Sequence, residues 1–178
     1  MSNNVITDAE KVYESAMAAP NLGKALINVI VAGILIGLTT YIYTGALINL
    51  ALGIGASLLN WIVLTLTLWM LYVMFKKKKM GDLEFVQIGS AVGKLWTLVI
   101  ATNFILLIGM IALTSGALVG ILGVLMFVIL VVIGVVTLYS HYKLVKVMFS
   151  ANKGRHIIVW LLSIIVSGLV TSVILLFV

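Results

Sequence analysis

The sequence predicts an all-α membrane protein: five transmembrane helices preceded by an N-terminal amphipathic interfacial helix. Three observations predict it. Only 9% of the 178 residues are charged while 63% are hydrophobic, against about 25% charged in soluble domains. Five stretches are long and apolar enough to cross a bilayer: Ala25–Leu47, Leu50–Phe75, Gly93–Leu113, Ala117–Ser140 and Ile157–Val178. Positive charge, finally, gathers in alternate loops. Each stretch holds about 20 residues, which at about 1.5 Å rise per residue covers a hydrocarbon core of about 30 Å. Residues 1–24 form a cytoplasmic segment and 25–178 the transmembrane domain.

The opening segment is polar, with early acids at Asp8, Glu10 and Glu14, so it does not read as a secretory leader. Thr7 and Glu10 have the Thr-x-x-Glu spacing of a capping box. Ala9, Val12, Tyr13, Ala16 and Met17 then recur at helical spacing on one face. The chain's single proline, Pro20, stops this helix. The expectation is an interfacial leader that caps the bundle, with a partner-docking or lipid-sensing surface at Val12, Tyr13 and Met17 as the functional alternative.

The loop after the second span carries Lys76, Lys77, Lys78 and Lys79, and the loop after the fourth carries Lys143, Lys146, Lys153 and Arg155. The turns Thr44–Asn49 and Thr114–Gly116 carry no charge. The positive-inside rule therefore predicts a cell-membrane protein with its N-terminus in the cytoplasm and its C-terminus outside. The net charge of +6 reads as topology and contact with anionic headgroups of the lipid bilayer, not as a nucleic-acid surface. Residues Leu83–Ile88, after the turn at Met80-Gly81-Asp82, suggest a second short surface helix. Lys94, at the edge of the third span, is placed to snorkel.

Within the membrane, small residues recur every four positions: Gly33 and Gly37, Gly116 and Gly120, then Ser163, Ser167 and Thr171. This spacing supports close helix packing inside the chain; a homodimer seam is the alternative, and the oligomeric state stays open. Asn60 and Asn103 lie near the middle of their spans, where an unsatisfied amide is costly. They are expected to bond across the second and third spans, or else to line a polar site for a small substrate.

The usual carriers of chemistry are sparse. There is no cysteine, which excludes disulfides, thiolate metal sites and cysteine nucleophiles. The two histidines, His141 and His156, sit at the cytoplasmic edge as expected headgroup neighbours, and no acid falls within a span. No phosphate loop is present. These absences predict no catalytic, metal or cofactor site.

Four features resemble the Yip family, the Ypt/Rab-interacting five-span membrane proteins, in its archaeal and bacterial branch. They are the segment Tyr13–Leu26 with its proline before the first span, and the basic loop leading through Gly81–Ala91 to the third span. The others are the tight hairpin of the third and fourth spans, and Leu138–Ile158 with its Asn-Lys-Gly-Arg-His break. The Asp-Leu-Tyr-Gly-Pro-type stretch of eukaryotic members is absent. The resemblance therefore implies fold and topology rather than binding of a Rab-type GTPase. Two functional expectations follow. One is a non-catalytic scaffold recruiting protein partners through Val12, Tyr13, Met17, Lys76–Lys79 and Leu83–Ile88. The other is a small transporter or lipid-handling protein working around Asn60 and Asn103.

Overall fold

The computed structural model describes residues 8–75, 83–114, 119–149 and 154–175. They form six helices: α1 (Ala9–Ala18), α2 (Leu22–Thr44), α3 (Ile48–Phe75), α4 (Phe85–Thr114), α5 (Val119–Met148) and α6 (Arg155–Leu175). Among the described residues there is no strand. Four stretches are long and apolar enough to cross a membrane: Leu22–Thr44, Ile48–Phe75, Phe85–Ala112 and Gly123–Met148. A shorter apolar stretch runs Arg155–Val170. The protein is all-α and its composition is that of a multi-pass membrane protein.

Helices α2 and α3 form a hairpin whose turn depends on glycine. Gly45 caps α2 in the left-handed region (φ 73°), and its N–H donates to Tyr41 O at 2.7 Å, closing the helix as a residue without Cβ does readily. Along the hairpin the two backbones touch. A Cβ on Gly33 would lie 2.6 Å from Ile54 Cα, and one on Gly37 equally close to Asn49 O. The Gly33 and Gly37 spacing thus serves packing within the chain. Helix α4 runs beside α2 in the same direction, pairing Gly89 with Leu22 and Gly93 with Ala25.

Buried side chains concentrate at one end of the bundle. Val29, Leu68, Ile88, Val92, Leu144, Val145, Phe149 and Val159 are fully buried there, and α1 lies over that end, against α4 and α5. Toward the other end α5 exposes Val124, Phe127, Val131 and Val135, and α6 exposes Ile165 and Leu169. An apolar surface on that scale is at home in lipid, where it loses nothing by exposure.

Two expectations are corrected, and a third falls outside the described residues. The short surface helix and the third span are one helix, α4, beginning at Phe85 rather than Gly93. Gly89 and Gly93 do not break it, because each sits where a neighbouring helix comes close. Helix α1 starts after Asp8, which provides no side-chain cap; the predicted capping box rests on Thr7, which lies outside the described residues. His141 is a core residue, 6% exposed, because α1 and α6 cover that part of α5.

Candidate functional site

Helix α1 is only 10 residues long, too short to be stable alone in water. What holds it is its apolar face. Ala9, Val12, Tyr13, Ala16 and Met17 are all buried, so the face predicted from helical spacing is real but turned inward. Val12, Tyr13 and Met17 are therefore occupied within the chain, and a partner could not reach them without undocking the helix. Its outward face carries Lys11, Glu14, Ser15 and Ala18, all exposed.

Polar contacts fix the docking. The Tyr13 hydroxyl bonds to Ser140 Oγ on α5 in a buried site, and burial pushes the phenol up to about 12, so it stays neutral at physiological pH. Gln87 on α4 donates from Nε2 to Met17 O at 3.1 Å while its Oε1 accepts from Glu84 N at 2.8 Å. One amide thereby starts α4 and closes α1. Glu10 Oε1 accepts from both Lys143 and Lys146, the latter at 2.9 Å; these lysines share a face of α5 by their i, i+3 spacing. The hydrogen bond from Lys143, followed by that from Lys146, holds the Glu10 carboxyl below its ordinary range. Lys143 also stands 5.2 Å from the Tyr139 ring centroid, within cation–π range.

Two clefts flank α1. One, of about 480 Å³, is lined by Asp8, Glu10, Lys11, Glu14, Tyr139 and Lys143; Lys11 pairs there with Asp8 and Lys143 with Glu10, so its charges are largely internally balanced. The other, of about 310 Å³, lies between the α1–α2 turn and α4.

Lys76, Lys77, Lys78 and Lys79 lie outside the described residues, as do Gly116 and the surroundings of Gly120 and Thr171. Asn103 Nδ2 donates to Val99 O in its own helix at 2.9 Å, and Asn60 is half-buried. Among the described residues no hydrogen bond joins the two amides. Asn28, by contrast, bonds across spans, donating from Nδ2 to Gly93 O on α4 at 3.1 Å. Trp61 Nε1 reaches Gly89 O at 3.0 Å in the same way. The sequence signal for Asn28 is its place as a polar residue inside the first apolar run. Within Leu83–Ile88, Glu84 and Val86 are exposed and Ile88 is fully buried.

The structure does place a serine beside a histidine: Ser163 Oγ lies 3.3 Å from His141 Nε2. The arrangement is not that of an activated nucleophile. Ser163 Oγ donates to Trp160 O at 2.8 Å, so its proton already has an acceptor, and its side chain is fully buried. His156 Nε2 lies 2.9 Å from the Tyr142 hydroxyl, and Tyr142 meets the Trp160 ring edge-on at 5.8 Å. These contacts tie α5 to α6. Among the described residues no group of three potential metal ligands occurs. No protein-family model, curated protein or solved structure matches the chain.

Proposed function

We propose that this protein is a non-catalytic membrane scaffold with five spans, its N-terminus cytoplasmic and its C-terminus outside, similar in plan to the Yip family. The observation that carries this reading is the docked α1: Glu10, Tyr13 and Met17 tie it to α4 and α5. The bundle thus ends in a built polar cap, on which the charged side chains of α1 and those at the end of α5 sit together. Such a cap is a fixed platform for partners, with the recruiting surface on the outward side of α1, Lys11 and Glu14, together with exposed Glu84 and Val86. The fifth span is α6, which supplies the odd count that positive-inside charge placement requires. Transport around Asn60 and Asn103 has less support, because the Asn103 amide is engaged with its own helix.

The test is co-purification in detergent with wild type and with K11E/E14K, which alters the outward face while leaving Val12, Tyr13 and Met17 in place. Specific partners held by wild type and lost by the variant are the expected result. Capture of nothing by either form, with solute flux or lipid scrambling in liposomes carrying the protein, overturns the scaffold.

A further inference from the structure

The cleft between the α1–α2 turn and α4 is chemically unlike its neighbour. Its walls include Ser15, Asn21, Lys24, Asn28, Ser90 and Lys94, and no carboxylate lines it. Among the described residues no ion pair engages Lys24 or Lys94, whereas Lys11, Lys143 and Lys146 each have a carboxylate partner. Two ammonium groups at one concave site without a counter-charge repel cations and attract an anion. Lys94 is only half-exposed and sits within a helix that holds no other charged residue, a position in which a lysine is costly unless its charge meets a partner.

The cleft also has a level and a direction. Asn28 bonds to Gly93 O, so Lys24 on α2 and Lys94 on α4 flank one height of a parallel helix pair. From there both helices run on into apolar sequence. Ile27 and Val31 are exposed on α2, and Ala101, Phe104 and Ile108 on α4. A polar, cationic pocket thus opens directly above an apolar surface. The ligand that matches both halves carries a negative group at one end and hydrocarbon at the other.

We propose that this cleft binds the phosphate of an anionic phospholipid, with Lys24 and Lys94 holding the phosphate oxygens and the acyl chains lying along α2 and α4. Asn28 has a second amide N–H to offer, since only one is needed for Gly93 O. The site rests on the reading that these helices span a membrane. Its ligand is a lipid drawn laterally from the bilayer, not an inorganic phosphate taken from the cytosol.

Native mass spectrometry of the detergent-purified full chain, with phosphatidylglycerol and phosphatidylcholine at matched concentrations, tests this. Wild type should retain phosphatidylglycerol in roughly tenfold excess, as two lysines near a headgroup warrant. K24Q/K94Q should lose the excess and K24R/K94R should keep it. K11Q/R155Q, which removes as many positive charges from the same end, should also keep it. Millimolar inorganic phosphate should leave the retained lipid in place. Equal retention of both lipids by wild type, equal loss in K11Q/R155Q, or displacement of the lipid by inorganic phosphate overturns the proposal. Should K24Q/K94Q fail to fold, the wild-type ratio and K24R/K94R still decide. Carbonate extraction separates the two levels of the argument. Wild type released by carbonate overturns the spanning reading and this site with it, whereas membrane-retained wild type lacking the preference overturns the site alone.

Discussion

Tyr13 and Glu10 make α1 part of the folded body. Tyr13 is fully buried, and its hydroxyl has Ser140 as partner. Tyr13→Phe removes the phenol hydroxyl, leaves the buried Ser140 hydroxyl without it, and should cost about 1–2 kcal/mol. Tyr13→Ala also leaves a cavity and should cost about 3 kcal/mol or more. Unfolding midpoints in detergent measure both, and unchanged midpoints would mean that α1 is not docked. Glu10 has the opposite pH logic to a group stabilised when protonated. Its carboxyl is held below the ordinary 4.5 by Lys143 and Lys146. The folded state therefore binds its proton more weakly than the unfolded state, and the stabilisation is present above 4.5 and fades as pH falls through and below that value. The prediction is a wild-type advantage over Glu10→Gln in thermal unfolding that is present at neutral pH and gone in strong acid. An advantage that persists unchanged in acid would remove the ion pair from the explanation.

Helix pairing makes equally direct demands. On α3 a Cβ at Gly53 would lie 2.5 Å from Gly33 O and 2.6 Å from Gly37 N, both backbone atoms that cannot step aside, while Gly55 has open space. Gly53→Ala should therefore destabilise the hairpin by roughly 1–3 kcal/mol. Gly55→Ala should be neutral or stabilising, by up to about 1 kcal/mol from helix propensity. Matching losses at the two sites would argue against the close approach. On α4 the Asn103 amide returns to Val99 O, so Asn103→Leu should change the unfolding midpoint by no more than about 1 kcal/mol. A larger loss would put an interhelical partner there. The long α4 makes sense in the same terms. Its first two turns, which by composition resemble a separate surface helix, meet α1 and the start of α2 and so have a reason to continue.

The bundle as assembled has a tight end beneath α1 and an apolar, open end. In the proposed orientation the tight end faces the cytoplasm, and a reporter active only there should work when fused after Lys79 and fall silent after Val178. Activity at both positions would require one of the five proposed spans to be withdrawn. The asymmetry bears on the charge placement as well: α1 sits where α5 ends, and Glu10 meets Lys143 and Lys146, the residues whose positive sign the proposed orientation rests on.

Class, span positions and the faces of burial differ in how far they can be read from one dimension. Apolar run length and loop charge are local, additive properties, so they are enough to predict a multi-pass helical protein and most ends of its long helices, but not where α4 starts, at Phe85 rather than Gly93, or where α5 ends, at Met148 rather than Ser140. The apolar stripe of α1 was equally legible at Ala9, Val12, Tyr13, Ala16 and Met17. Its destination was not, because a stripe fits a membrane surface, a partner or the chain's own bundle equally well. Only the approach of α5 and α4 decided that it turns inward. Which amide joins helices was likewise beyond periodicity: Asn28, not Asn60 or Asn103, happens to face a neighbouring carbonyl. Lys24 and Lys94 are separated along the chain by two predicted spans and the loop that follows them, and nothing local marks them as a pair. They share a cleft because α2 and α4 run side by side, a proximity that long-range packing creates and sequence spacing does not record.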